Sequence, residues 1–240
     1  MLALMAGTSV AAAVAAGYHT MAPRSQLYGH TFVGGGRDSR QLALTFDDGP
    51  NDPWTPRLLE VLERRQVRAT FFMIGDFVRQ KPAIARQVVE AGHVVGNHTF
   101  SHPNLIFADV ATVERQVSEC ERALTDAIGD HSRLFRPPFG GRTPMALRAI
   151  QRQGLDTVMW RVSGFDWNAK SARQIEQKIV AGVRGGDVIL LHDGGHRHMG
   201  ADRSCTVTAV DHLIAWGQEQ GYNFVTVPEM MSHDRRLTAK

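Results

Sequence analysis

Leu44-Thr45-Phe46-Asp47-Asp48-Gly49-Pro50 is the stretch that decides how this chain is read. The apolar run from Leu42 to Phe46 reads as a buried strand, and it ends in two adjacent carboxylates followed by a Gly-Pro turn signal. Asp47 and Asp48 therefore stand where a strand stops and a loop begins. There a rigid element positions a side chain and the loop exposes it. Neighbouring carboxylates repel each other unless they share a proton or a cation. A metal ion resolves that conflict by binding one and leaving the other free as a base. Taken alone, the pair also fits a solvated Asp-Asp turn, so the rest of the chain must decide.

Outward from this strand the pattern alternates. Apolar runs recur near 42–46, 69–74, 93–96, 133–135, 156–160, 187–191 and 223–227, with helical spacing between them. In 55–66 the stripe is Leu58, Leu59, Val61 and Leu62; in 77–91 it is Ile84, Val88 and Val89, with Gly92 as the stop. Segment 109–128 carries Val113, Val117, Cys120 and Leu124 on one face. Segment 144–153 opens with Pro144, 171–183 with a capping-box pattern from Ser171 to Gln174, and 206–220 ends at Gly221. Repeated β–α units imply a parallel sheet buried on both faces. Seven strands and six intervening helices fit a closed or nearly closed β/α barrel better than a helical bundle, with a doubly wound open sheet as the alternative. There is no internal repeat and no GxGxxG after the first strand, which argues against a nucleotide-binding fold.

The 240 residues, 43% hydrophobic and 21% charged, suit one domain of moderate size, with or without a tail. The net charge of +3 comes without a Lys/Arg cluster of the kind nucleic-acid binders carry. Residues 1–17 hold no charge and resemble the apolar part of a secretory signal, with Ala13-Val14-Ala15-Ala16 as a cleavage region, although a basic start is missing. The expectation is export to the periplasm, cell envelope or medium; an uncleaved anchor and a disordered tail are the alternatives, and seventeen residues are marginal for a bilayer. Residues 18–40, ending in Gly34-Gly35-Gly36, read as a linker or irregular cap. The division expected is an apolar segment and linker at 1–38 and one domain at 39–240. Cys120 and Cys205 are far apart and form no CxxC; a disulfide and two free thiols both remain open.

The unusual polar residues cluster on this pattern. Asp47 and Asp48 follow the first strand, His98 and His102 the third, and Arg136 to Phe139 the fourth. Asp166 and Trp167 follow the fifth, and His192 and Asp193 the sixth. All lie at carboxyl ends of strands, where β/α barrels build active sites. His98 and His102 are spaced i, i+4, which puts two imidazoles on one side of a single helical turn and suits two bonds to one metal. With Asp48 they form a two-His, one-carboxylate set that leaves coordination positions open. Zinc suits such ligands, and cobalt, nickel or iron fit the same triad. Singly, each residue has a duller reading: Arg136 as a surface ion pair, Trp167 as core, His192 as a rim histidine, Asp193 as a cap or turn residue.

The ordered set TFDDG, HTFSH, RPPFG, DW and LLH resembles the NodB-type polysaccharide deacetylases of carbohydrate esterase family 4, over roughly residues 40–230. The resemblance implies a distorted (β/α)7-type barrel and metal-dependent hydrolysis of N-acetyl groups from N-acetylglucosamine-containing glycans, peptidoglycan or chitin oligomers. It makes Asp47 the base that acts on metal-activated water, and Asp48, His98 and His102 the ligands of a divalent cation, zinc first, with cobalt and nickel as alternatives. Arg136 orients Asp47, and His192 is the general acid with Asp166 behind it. The backbone N–H of Phe139, where the family more often has Tyr, serves the oxyanion. Trp167 and Leu190 enclose the acetyl methyl. Loops 100–110, 139–144 and 194–206 form the groove walls. The partner implied is a glycan, without nucleic acid or obligate protein partner, bound by a monomer. Ser163 stands where many relatives carry an earlier Asp before the DW pair, which bears on groove shape. An acetyl xylan O-esterase is the alternative inside the family. A non-haem iron oxygenase shares the ligand types but usually pairs a close His and carboxylate with a distant His. An inactive glycan-binding module needs neither Asp47 nor His192.

Overall fold

The computed structural model describes residues 14–238, with side chains through residue 234. The apolar segment 1–17 therefore lies outside the described residues as far as residue 13. Among the described residues no helix is long and apolar enough to cross a membrane.

Strand β1 (Gln41–Gly49) forms the centre, buried along nearly its whole length. It pairs in parallel with β2 (Thr70–Met73) and β7 (Asp187–His192). The sheet continues through β3 (Val94–Asn97), β4 (Leu134–Phe135) and β5 (Asp156–Thr157) on one flank, and β6 (Val162–Ser163) on the other. Short β8 (Asn223–Phe224) pairs with the start of β1. The sequence of strands and crossover helices is the distorted (β/α)7-type barrel expected, an incompletely closed one. β6 is the strand the periodicity did not show, because its two residues follow β5 too closely for a pattern to register. Residues 31–34, read as linker, tie the two flanks together. Phe32 bridges Val158 and Gly34 bridges Asp187.

Alternation on β1 builds two apolar layers. Leu42, Leu44 and Phe46 join Leu58 and Leu62 of α1 (Trp54–Arg64) in the outer core. Ala43 belongs to the inner cluster with Phe72, Val158, Val188, Val227 and Met230. Segment 77–91 is two helices, α2 (Gly75–Gln80) and α3 (Pro82–Glu90), rather than one. Pro82 has no N–H for a continuing helix and starts the second instead. Helix α4 (Val110–Ile128) is capped by Asp109, whose side chain accepts the Thr112 N–H, and α5 (Pro144–Arg152) by Thr143. At α6 (Ala172–Gly182) the capping box is not made. Ser171 makes no side-chain cap, and Gln174 accepts the N–H of Lys170 instead, one residue further back. Helix α7 (Ser204–Glu219) returns to the sheet. Both cysteines are free, Cys120 fully buried.

Candidate active site

The two carboxylates at the end of β1 point into one cavity, which regular strand alternation would forbid. The register against β2 explains it: Asp47 pairs with Phe72 and Gly49 with Met73, so Asp48 is an extra, bulged residue. Its φ of 71° lies in the left-handed region. The bulge turns what would be opposite faces into a common one.

His98 and His102 also reach this cavity, but not from a helical turn. They lie in an irregular loop after β3, with Thr99 at φ 68° and His102 at φ 57°. The loop is fastened locally. Asn97 Oδ1 accepts the Thr99 N–H (2.8 Å), and Thr99 Oγ1 accepts the His102 N–H (3.1 Å). Asn97 Nδ2 donates to Val117 O and to Glu121 Oε1 on α4. Hydrogen bonds within the loop thus do what helical geometry was expected to do.

Asp48 Oδ1 lies 3.1 Å from His102 Nε2 and 3.5 Å from His98 Nε2. The three ligand atoms fall within 4.8 Å of one another, and all three residues are buried. His98 Nδ1 sits 2.8 Å from the carbonyl of Arg136, which fixes its proton on Nδ1 and aims the Nε2 lone pair at the cluster. Asp48 Oδ1 is buried without a hydrogen-bond partner. An orphaned carboxylate oxygen facing two imidazole nitrogens fits a divalent cation. Burial opposes the charge on Asp48, yet the imidazoles of His102 and His98 hold it well below the usual carboxylate range. Burial lowers His102, against the pull of Asp48, toward the neutral form that ligation requires.

Arg136 is no surface ion pair. It is 0% exposed. Its guanidinium donates to Asp47 Oδ1 (2.7 Å), Thr45 Oγ1 (2.8 Å) and the carbonyls of Val158 and Met159, and it lies over the Phe72 ring at 4.2 Å. A cation so engaged inside the barrel fixes the rotamer of Asp47 and sets a positive charge directly against its carboxylate.

His192 ends β7 beside Asp166. Asp166 Oδ1 lies 2.8 Å from His192 Nδ1, while Oδ2 accepts the His192 backbone N–H (2.7 Å) and Thr206 Oγ1–H (2.9 Å). Burial would lower the imidazole pKa; Asp166 overrides it, with help from Asp48 and Asp47, and lifts it to about 9. The proton on Nδ1 is held by the carboxylate, leaving Nε2–H available to the cavity.

The cavity measures about 430 Å³ and collects Asp47, Asp48, His98, His102 and His192. Phe139, Trp167 and Leu190 line it as well, while Arg136 and Asp166 stand directly behind Asp47 and His192, and Asp193 and Ser163 do not line it. Phe139 takes φ 58°, ψ 7°, and lays its ring against His102 at 4.6 Å. Of loop 100–110 only His102 reaches the cavity, while Phe139, Gly140 and several residues of 195–203 do.

Several residues were not legible beforehand. His196 stacks on His102 (centroids 4.8 Å, 22°) and approaches Phe139 edge-on. Three histidines within 192–198 were the available signal. Trp160 lines the cavity beside Gly140. Asp193, expected to cap or turn the next loop, is a buried bolt. Its carboxylate accepts the Thr55 hydroxyl and its carbonyl accepts from Asn51 Nδ2, joining the loop after β7 to the loop after β1 and the first turn of α1. Burial, with the nearby charges of Asp48 and Asp47, raises Asp193 to about 7.

Comparison with known proteins was made against this geometry. Residues 34–158 match the family model described as polysaccharide deacetylase. That span contains Asp47, Asp48, His98, His102, Arg136 and Phe139; Asp166, Trp167 and His192 lie beyond it. The chain is 37% identical over 201 residues to the chitooligosaccharide deacetylase of Bradyrhizobium sp. (strain ANU 289), covering 80% of this chain and 91% of that protein. It is 34% identical over 194 residues to the peptidoglycan-N-acetylglucosamine deacetylase PgdA of Listeria monocytogenes, covering 81% of this chain and 39% of PgdA. The chain thus spans about two fifths of that relative's length. The crystal structure of the Bc1960 peptidoglycan N-acetylglucosamine deacetylase superposes with a TM-score of 0.79 at 34% identity, over 83% of this chain and 92% of the other.

Proposed function

The chain belongs to the polysaccharide deacetylase family, the NodB-type enzymes of carbohydrate esterase family 4, and from that premise we propose that it hydrolyses N-acetyl groups of an N-acetylglucosamine-containing glycan. The observation that carries the reading is one cavity that holds a carboxylate paired to a buried guanidinium, an imidazole paired to a buried carboxylate, and a cation-competent triad. A carboxylate positioned as base and an imidazole kept protonated as acid in one cavity are what amide hydrolysis needs.

Asp48, His98 and His102 are the residues that would hold the cation, with zinc the metal we assign. Such a cation supplies a Lewis acid for the acetyl carbonyl and lowers the pKa of a bound water from 15.7 toward ~7. Asp47 takes the proton of the attacking water, and Arg136 keeps its carboxylate aimed. The Phe139 backbone N–H is assigned to the oxyanion; a preorganised donor of this kind contributes about 3–4 kcal/mol. Trp167 and Leu190 exclude water from around the acetyl methyl. As the C–N bond breaks, His192 donates its Nε2 proton to the departing amine, and the products are acetate and a free amino sugar.

The substrate is proposed as a poly-N-acetylglucosamine chain, and with export on the apolar segment 1–17 a cell-wall glycan. The relatives named above act, by their names, on peptidoglycan and chitooligosaccharide. The test is acetate release from N-acetylglucosamine pentamer by protein stripped of metal and then given zinc or cobalt. Release should return with metal and be lost in Asp47→Asn. Folded protein that releases no acetate with either metal overturns the reading and leaves acetylated xylan as the next substrate to try.

A further inference from the structure

His98 and His102 belong to one triad but are supported differently. His98 Nδ1 sits 2.8 Å from the Arg136 carbonyl, a hydrogen bond that sets both its tautomer and the direction of its ring. His102 has no such bond. Its Nδ1 is buried and meets no hydrogen-bond partner among the described residues. An imidazole that ligates a cation ordinarily has its second nitrogen held, because the outer bond keeps the ring from turning.

Rings take the place of that bond. The His196 imidazole stacks on His102, with centroids 4.8 Å and planes 22° apart. Phe139 meets His102 edge-on at 4.6 Å, planes 73° apart, and meets His196 at 5.1 Å, planes 79° apart. Each ring touches the other two. A face contact and an edge contact at nearly a right angle restrict both side-chain torsions of His102, which is what a hydrogen bond at Nδ1 does for His98.

His196 arrives on a loop that is fastened to the site. Gly194 lies against Asp48 so closely that a Cβ there would run into the Asp48 carbonyl oxygen, so only glycine fits. Arg203 Nε donates to the Gly194 carbonyl (2.7 Å), and the His198 N–H donates to that of Gly195 (3.3 Å). Buried Asn51 spans the loop. Its Nδ2 donates to the carbonyls of Asp193 and Ala201 (both 2.9 Å), and its Oδ1 accepts the Gly200 N–H (2.6 Å). Backbone contacts on both sides of His196 therefore set its ring on His102.

We propose that His196 is a positioning residue for His102: by stacking it holds the orientation that His98 receives from a hydrogen bond, and so raises the affinity of the triad for its divalent cation. His196 is not itself a ligand. The ligand atoms that lie within 4.8 Å of one another belong to Asp48, His98 and His102. A ring nearly parallel to His102 directs its lone pair along a nearly parallel plane, and two such lone pairs do not meet at one ion ~2 Å from each. His196 Nδ1 stands 3.9 Å from Asp48 Oδ2, beyond hydrogen-bond reach. The inference rests on the reading of the triad as a cation site and adds to it a residue outside the motifs that carry the family resemblance.

The test is the zinc Kd of metal-stripped protein, measured by competition with a chromophoric chelator, for wild type, His196→Ala and His196→Phe. His196→Ala should bind zinc about tenfold more weakly, the equivalent of 1.4 kcal/mol and the low end of what outer partners of a metal ligand contribute. Phenylalanine keeps a flat ring and removes both nitrogens, so His196→Phe should return to within about threefold of wild type. The visible spectrum of cobalt-loaded His196→Phe should match that of cobalt-loaded wild type, since no ligand has changed. Equal zinc affinity in wild type and His196→Ala overturns the proposal. His196→Phe as weak as His196→Ala, or with a changed cobalt spectrum, overturns it as well, because the imidazole nitrogens and not the ring would then be what matters. Zinc is counted here without turnover. A wild type that binds zinc but releases no acetate removes the deacetylase reading and leaves this comparison intact, whereas a wild type that binds no zinc overturns the triad and the role of His196 together.

Discussion

Replacing Asp166 with Asn removes one charge and reverses one hydrogen bond. Asp166 accepts three: from His192 Nδ1–H and the His192 N–H at its two oxygens, and from Thr206 Oγ–H. Asn can keep its oxygen on the last two donors only by presenting NH2 to Nδ1. The imidazole must then be neutral, with its proton on Nε2, and the imidazolium is opposed. Burial, the largest influence on this histidine, would be left with little against it, so the pKa should fall from about 9 to the ordinary ~6.5 or lower. At pH 8 the protonated fraction then drops from about 0.9 to about 0.03, a loss of about thirtyfold, whereas at pH 6 the two forms differ by less than about 1.5-fold. The assay is kcat/KM for acetate release between pH 5 and 10, in metal-loaded wild type and Asp166→Asn. A bound cation pulls the alkaline limb of both proteins down, so the displacement between them is the quantity read. Stability should move the opposite way with pH. A raised histidine pKa stabilises the fold below ~6.5 and stops doing so as pH rises through about 9. The Tm deficit of the variant should therefore be larger at pH 6 than at pH 10. Coincident alkaline limbs would refute the assignment of His192 as the acid tuned by Asp166.

Arg136→Met strands the buried Asp47 carboxylate, and should cost about 3–5 kcal/mol in denaturant unfolding at neutral pH; adding Asp47→Asn should recover much of that, and a single variant as stable as wild type would contradict the buried pairing. His98→Ala should unfold within about 1–2 kcal/mol of metal-free wild type but emerge from gel filtration with well under one zinc per chain, and full zinc occupancy would remove His98 from the ligand set. Asp47→Asn should lower kcat by about 10²–10⁴-fold with zinc retained and pentamer Kd nearly unchanged; loss of metal together with activity would recast Asp47 as a ligand.

What the sequence showed of the fold was what contiguous patterns can show. β1 was legible because four apolar residues between Leu42 and Phe46 run into Asp-Asp-Gly-Pro, and its neighbours because each carries a comparable run. β6 was not, since Val162–Ser163 is two residues long. The split at Lys81–Pro82 is marked by the proline itself, since the apolar stripe of Ile84, Val88 and Val89 lies wholly within the second helix. The site divides on the same line. Asp47, His98, Arg136, Trp167 and His192 sit in short motifs at strand ends, so the barrel brings them together once the strands are found. The bolt from Asn51 and Thr55 to Asp193, and the stacking of His196 on His102, join segments more than ninety residues apart. No local spacing encodes them.

The backbone carries a further lesson. Six non-glycine residues among those described have positive φ: Asp48, Gln66, Thr99, His102, Phe139 and Phe165. Asp48, His102 and Phe139 line the acetyl cavity, Thr99 holds His102 in place, and Phe165 lies against Trp167 of the same cavity. Each such residue costs about 1–3 kcal/mol relative to a relaxed backbone. Glycine would relieve that cost at every one of these positions, and at Asp48, His102, Phe139 and Phe165 it would delete a carboxylate, an imidazole or a ring. Gln66, in the turn after α1, is the exception; at the other five, side-chain chemistry has been kept against local conformational preference. That is also why the i, i+4 histidines led to the cation-competent triad by the wrong geometry. The spacing suited a helix, but the loop reaches the same convergence through two left-handed residues, held by Asn97 and Thr99. Where propensity and function disagree, propensity reads the scaffold and misreads the site.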